Sequence, residues 1–252
     1  MLEVGNNVLK EIVRTGRTTL LNGEEVLANS YIDPSCGALL QSVIKATRPT
    51  IGVEVGLAFG ISTLYILEAF SENGGEKLIG MDPDQHEGFR GGGLSNVKRA
   101  GYEHLYEFHA ESSQQLLPRL AGLGQRVEFA FIDGWHTFDH VLVDFFFIDQ
   151  ILKIGGIVIF DDVGYPSIKR ACDFIITNRD YEIYDCVRIR NKNSFSRRSK
   201  YKINELLHPV VRTDKTPAPA ERRKELDIDD VYFLALQKRS EDSRRWDHFV
   251  HF

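Results

Sequence analysis

Two groups of side chains in this 252-residue chain have the types and spacing to do chemistry. The first is the run GluValGlyLeuAlaPheGlyIleSer, Glu54 to Ser62, set between an apolar stretch and a helical pattern. Gly56 and Gly60 remove side chains where the backbone must turn sharply, so a ligand can lie against the loop and meet the amides that open the next helix. The spacing ExGxxxGxS lacks the GxGxxG of a dinucleotide fingerprint and the GlyLysSer/Thr ending of a phosphate loop. Glu54 repels a phosphate at close range and suits a cationic or amine-bearing ligand. A second apolar stretch then ends in MetAspProAsp, placing Asp82 where a carboxylate can accept two hydrogen bonds from a ribose diol. Glycine loops recur by chance and a strand-end Asp can simply cap a turn, but the ordered pair favours a nucleoside ligand.

The second group is acidic. PheIleAspGlyTrpHis at 131 to 136 and PheAspAspVal at 160 to 163 each end an apolar run in carboxylates. Asp133, Asp161 and Asp162 together offer three hard oxygen donors, a set suited to Mg2+ or Ca2+ and poor for zinc. The same acids can instead serve helix-terminal amides or a solvated turn. His136, with an ordinary pKa of about 6.5, can take a proton from a hydroxyl, or can be a hydrogen-bonding structural residue. Trp135 suits an apolar wall better than any chemistry.

These residues need elements that bring them to one edge. Short apolar runs at Ile51 to Val55, Lys77 to Met81, Tyr106 to His109, Val127 to Ile132 and Gly156 to Phe160 alternate with helical patterns near Ser62 to Phe70, Gly93 to Gly101, Ser113 to Leu120, Phe138 to Leu152 and Ser167 to Thr177. That rhythm predicts an α/β fold, a doubly wound and mostly parallel sheet whose strand ends open on one crevice. Tyr181 to Val187 and Val231 to Gln237 are expected to close it as an antiparallel pair, giving seven strands. The expected organisation is a single domain over 1–252: a helical cap at 1–48, a cofactor-binding core at 49–187, a polar basic insertion or lid at 188–228, a closing strand at 229–240 and a tail at 241–252. Between Arg188 and Lys202 there are seven Lys or Arg and no acid, which fits a solvated face or an anion-binding arm.

Composition excludes several classes of function. A hydrophobic share of 42%, a charged share of 27% and a mean hydropathy of -0.24 fit an ordinary globular chain rather than a disordered or membrane-embedded one. A net charge of -5 offers no general attraction to nucleic acid. Cys36, Cys172 and Cys186 form neither a metal knuckle nor a disulfide framework, and the amino terminus lacks the order of a signal peptide, so a cytoplasmic setting is expected. No apolar run reaches the length of a membrane span. The expected partner is a small-molecule acceptor, without nucleic acid, and a homo-oligomer is left open.

The glycine loop followed by MetAspProAsp resembles the first two motifs of class I S-adenosylmethionine-dependent methyltransferases, over roughly Pro49 to Phe174 and again near Val231. The resemblance implies a Rossmann-like methyltransferase fold. It also implies that Gly56 and Gly60 lie against the methionine part of S-adenosylmethionine and that Asp82 holds its ribose. Glu54 and Ser62 would then stand near the amino acid end, with Glu111, Ser112 and Ser113 bordering the adenine beside Asp133 and Trp135. AspGlyTrpHis with AspAspVal is similar to the cation-dependent O-methyltransferases of the catechol O-methyltransferase type. On that pattern Asp133, Asp161 and Asp162 would hold Mg2+ or another divalent cation. The family's Lys base is replaced here by His136, which with Asp133 becomes the candidate catalytic pair. The implied activity is O-methylation of a small-molecule or sugar-like hydroxyl. The alternatives are an NAD-dependent dehydrogenase, against which ExGxxxG speaks, and a non-catalytic nucleoside- or metabolite-binding protein of the same fold.

Overall fold

The computed structural model describes residues 5–30, 32–188 and 228–252, so the basic insertion expected at 188–228 lies, apart from its two end residues, outside them. After two helices, α1 (Asn7–Thr15) and α2 (Pro34–Thr47), which flank a short ribbon of β1 (Arg17–Thr19) and β2 (Glu25–Leu27), strands and helices alternate. They are β3 (Ile51–Val55), α3 (Ile61–Asn73), β4 (Lys77–Met81), α4 (Gly92–Arg99), β5 (Tyr106–His109), α5 (Ser113–Gly122), β6 (Val127–Ile132), α6 (Phe138–Ile151), β7 (Leu152–Phe160), α7 (Pro166–Asn178), β8 (Tyr181–Arg188) and β9 (Val231–Lys238). The seven-stranded sheet has the order β5-β4-β3-β6-β7-β9-β8. β5, β4, β3, β6 and β7 pair in parallel, and β9 runs antiparallel to both β7 and β8.

The central strands are apolar on both faces because helices cover both. Phe129, Phe131, Ile157, Ile159 and Phe233 point into one core with α2 and α3. Their neighbours Val53, Val55, Ala130, Ile132, Val158 and Phe160 point into the other with α5, α6 and α7. This two-residue alternation is the pleat of the strand. α3 is buried from Ile61 to Phe70, since α1 and α2 lie over the side that faces away from the sheet.

Two expectations change. The first 48 residues are not wholly helical, because an Asn22-Gly23 turn with Gly23 at φ +85° folds the chain back into the β1-β2 ribbon. β7 also starts at Leu152 rather than Gly156, directly from the end of α6. Gly156, expected to open the strand, lies with Gly155 inside it, where the register with β6 shifts. Crossovers leave β3 in opposite directions, to β4 on one side and, further along the chain, to β6 on the other, which opens a crevice at the carboxyl ends of these strands. Among the described residues no helix is long and apolar enough to cross a membrane.

Candidate active site

A cavity of about 560 Å³ occupies that crevice. Its floor is the glycine loop after β3, and its sides come from the ends of β4, β6 and β7, the start of α5, residues 29, 30 and 32 of the N-terminal segment and Tyr232 at the start of β9. Asp82, Asp84, Asp133, Asp161 and Asp162 line it, and among the described residues no Lys or Arg does. Such a lining attracts a cation and repels an anion.

The loop is shaped by close backbone approaches. Gly56 has φ +91°, and a Cβ there would stand 2.1 Å from the carbonyl oxygen of Asp133, so only glycine lets the β3 and β6 loops meet. Gly60, at φ +71°, turns the chain into α3. Between them the amides of Leu57 and Ala58 donate to Asp82 Oδ2 at 3.1 and 2.8 Å, while Asp84 N donates to Oδ1 at 2.9 Å. Ala58 is held at φ +47°, a conformation that costs a residue with a Cβ of order 1 kcal/mol and that this pairing helps maintain. An ionised carboxylate offers about four acceptor positions. Three of those on Asp82 serve the backbone. Gln85 adds a brace that the sequence reading missed: its amide donates to Ala58 O at 2.7 Å and accepts from Gly93 N at 2.9 Å, tying the loop to α4. Nothing in the spacing marks Gln85; only the fold brings those groups together.

Glu54 lies beneath the cavity and does not line it. Fully buried on the α3 side of the sheet, it accepts from Ser62 Oγ at 2.9 Å and Thr63 Oγ1 at 2.8 Å. Burial pushes its carboxyl up to about 8 against the pull of those two hydroxyls. Ser62 does reach the cavity wall, and its hydroxyl points back to Glu54. Ser112 caps α5 and lines the cavity with Ser113 and Gln114. Glu111 stays outside the cavity wall, paired through both oxygens with Arg119 at 2.7 Å, which holds its carboxyl below the usual range.

Across the cavity, Asp133, His136 and Asp162 converge, each offering a ligand atom within 4.8 Å of the others. His136 Nε2 stands 3.4 Å from Asp133 Oδ1 and its Nδ1 stands 3.5 Å from Asp162 Oδ2, with the Tyr165 ring 5.6 Å away. The hydrogen bond that Asp133 accepts from His136 raises the imidazole's affinity for its proton, and burial raises that of Asp133. Asp161 lines the same cavity outside that grouping. It is buried, accepts from Asp162 N at 2.7 Å and is pushed up to about 8, first by burial and then by Asp133. The donor set grouped here is therefore two carboxylates and an imidazole, where the sequence suggested three carboxylates. Such a mixed set fits a divalent cation that accepts nitrogen better than it fits Mg2+ or Ca2+. Trp135 lines the cavity with its ring largely exposed and 6.1 Å from that of His140, another wall residue outside the sequence expectation.

Comparison with known proteins agrees with this fold. Residues 53–163 match the family model described as a methyltransferase domain. A caffeoyl-CoA O-methyltransferase of Stellaria longipes is 30% identical over 136 residues, 51% of this chain and 52% of that protein. The chain thus aligns with about half the length of the curated relatives it matches. Among solved structures, an O-methyltransferase from Bacillus cereus in complex with SAH superposes with a TM-score of 0.64 at 14% identity, covering 94% of both chains. The O-methyltransferase TomG from Streptomyces achromogenes, in complex with SAM, gives 0.59 at 15% identity over 85% of this chain and 84% of its own. At these identities the structural matches establish the fold.

Proposed function

With a methyltransferase domain at residues 53–163, we propose that this chain transfers the methyl group of S-adenosylmethionine to a hydroxyl of a small-molecule or sugar-like acceptor. The observation that carries the reading is a glycine loop, a strand-end Asp82 and an acid-lined cavity without Lys or Arg among the described residues, all at one sheet edge. A sulfonium is a cation, and a cavity lined by carboxyl groups with no Lys or Arg among the described residues favours it over the pyrophosphate of a nicotinamide cofactor. The methyltransferase match displaces the dehydrogenase alternative.

In this reading the glycine loop and Asp82 fix the adenosyl and methionine portions, and the acceptor oxygen approaches from the side of Asp133, His136 and Asp162. The oxygen–methyl bond forms as the sulfur–methyl bond breaks, and His136, with Nε2 held by Asp133, takes the acceptor's proton on Nδ1. Tyr232 and residues 29, 30 and 32 line the cavity, where they displace water from around the transfer site.

A second reading comes from the 4.8 Å grouping itself: Asp133, His136 and Asp162 would hold a divalent cation. Bound there, such an ion supplies Lewis acidity that lowers the pKa of the acceptor hydroxyl. Full turnover in a metal-free preparation rejects this version and leaves His136 as the base.

Titrating S-adenosylhomocysteine by calorimetry and assaying labelled methyl transfer to a panel of hydroxyl compounds tests the main proposal. No affinity for the adenosyl ligand overturns it; affinity without transfer to any acceptor favours the non-catalytic alternative. Three cysteines without disulfide partners fit the proposed cytoplasmic setting.

A further inference from the structure

α4 joins two parts of the cavity that the chain keeps far apart. One is the glycine loop; the other is the β1-β2 ribbon, which leads through Ala28 into Asn29, Ser30 and Ile32 of the cavity wall. Between them stands Asn96, fully buried on α4. Its amide donates to the Phe59 carbonyl inside the glycine loop at 2.9 Å, and its oxygen accepts from Thr18 Oγ1 on β1 at 2.6 Å. A neighbouring bond runs from Ser95 Oγ to the Thr19 carbonyl at 2.9 Å. The loop meets α4 closely, for a Cβ on Gly93 would stand 2.7 Å from the Ala58 carbonyl oxygen. At the tip of the ribbon both Glu24 oxygens pair with Arg90, in the connection between β4 and α4.

The ribbon needs these ties. Its two strands of three residues form a sheet of their own, and an isolated two-stranded hairpin is marginally stable at best in water. Its order is therefore drawn from α4, and whatever steadies the glycine loop against α4 lowers the ribbon's opening. A side-chain amide suits the position of Asn96, where a donor must face a carbonyl while an acceptor faces a hydroxyl.

We infer, resting on the cofactor reading above, that Asn96 is a positioning residue that couples the glycine loop to the ribbon: a cofactor seated on the loop steadies the ribbon and sets Asn29, Ser30 and Ile32 in place for the acceptor. The wall is then complete only after the methyl donor has bound. By reciprocity, an acceptor resting on that wall strengthens the hold on the cofactor by the same factor.

The test is amide hydrogen exchange over residues 16–30 of the full chain, read with and without S-adenosylhomocysteine at a concentration that calorimetry shows to be saturating. In the intact protein the ligand is expected to slow exchange of the ribbon amides by roughly fivefold or more, the lower end of ordinary coupling between sites. Thr18→Val keeps the shape of the side chain and its preference for a strand but removes the hydroxyl, so the slowing by ligand is expected to vanish. Asn96 Oδ1 keeps its bond from Arg99 at 3.2 Å in that variant, which favours folding. Thr18→Ser restores the hydroxyl and with it the slowing. Asn96→Asp cuts the other end, since a carboxylate accepts from Thr18 and cannot donate to Phe59, and is expected to lose the slowing too; should it fail to fold, the Thr18 pair decides. A merely structural role loosens the ribbon equally with and without ligand, so slowing of the same size in Thr18→Val and the intact protein overturns the inference. A ribbon indifferent to bound ligand in the intact protein overturns it as well, with the cofactor reading left standing. Failure of the intact protein to bind S-adenosylhomocysteine overturns the cofactor reading and the inference with it.

Discussion

Asp82 accepts the Ala58 amide at 2.8 Å, so the residue expected to grip a sugar also holds the glycine loop in shape. Removing the carboxylate strands the Leu57 and Ala58 amides as well as the ligand. Asp82→Ala is expected to weaken S-adenosylhomocysteine binding by roughly 10- to 100-fold, about 1–3 kcal/mol, and to lower the melting temperature. Calorimetry showing unchanged affinity would falsify the dual role.

Gly56 is predicted to tolerate no side chain. Gly56→Ala places a methyl group against the Asp133 carbonyl at a positive φ, costing at least about 3 kcal/mol and, at this chain length, a fall of roughly 6–12 °C in melting temperature. A melting curve superimposable on that of the unaltered chain contradicts the close approach.

His136→Asn is expected to lower kcat by roughly 100- to 10,000-fold with S-adenosylhomocysteine affinity within about threefold. A base acts when neutral, so activity rises with pH through its pKa. Because Asp133 raises the His136 pKa from its usual 6.5, the acid limb of kcat/KM is expected above that value and should move down in Asp133→Asn. An acid limb that ignores the Asp133 change removes His136 from the proton transfer.

Glu54 gives a pH dependence of stability opposite to that of an ordinary surface carboxylate. Its folded-state pKa, about 8, lies above the 4.5 of the unfolded chain, so the folded protein binds the extra proton between those values. The stabilising contribution is complete below pH 4.5 and is lost as pH rises toward 8, at up to roughly 1.4 kcal/mol per pH unit. Glu54→Gln removes this loss. Denaturant midpoints of the two proteins should therefore diverge from pH 5 to 8 in favour of the variant, and a constant difference over that range argues for an ionised Glu54.

Much of this was legible in the residues. β3, β4, β5 and β6 coincide with their runs because each is short and bounded by turn formers, and all but β4 are rich in β-branched or aromatic residues. The gathering of Gly56, Asp82 and Asp133 at one edge follows from parallel strands sharing a direction. What the chain concealed depends on tertiary approach. Asp161 and Asp162 are adjacent in sequence, yet Asp162 has φ +54°, and it is Asp162 that faces His136 while Asp161 accepts its neighbour's amide. Glu54 reads as a ligand residue until α3 is seen to place Ser62 and Thr63 on its two oxygens. Asp144 reads as one more polar position on α6, because its lack of partners exists only in three dimensions.

The contact between Gly56 and the Asp133 carbonyl has one further result. Main chain abuts main chain there, so the loop proposed to seat the methyl donor and the turn proposed to carry the proton acceptor shift together or not at all. The span the methyl group must cross is then a property of two backbones, insulated from most side-chain drift. Evolution could retailor the opposite walls, at Asn29, Ser30 and Tyr232, for a new acceptor while the transfer distance stayed put.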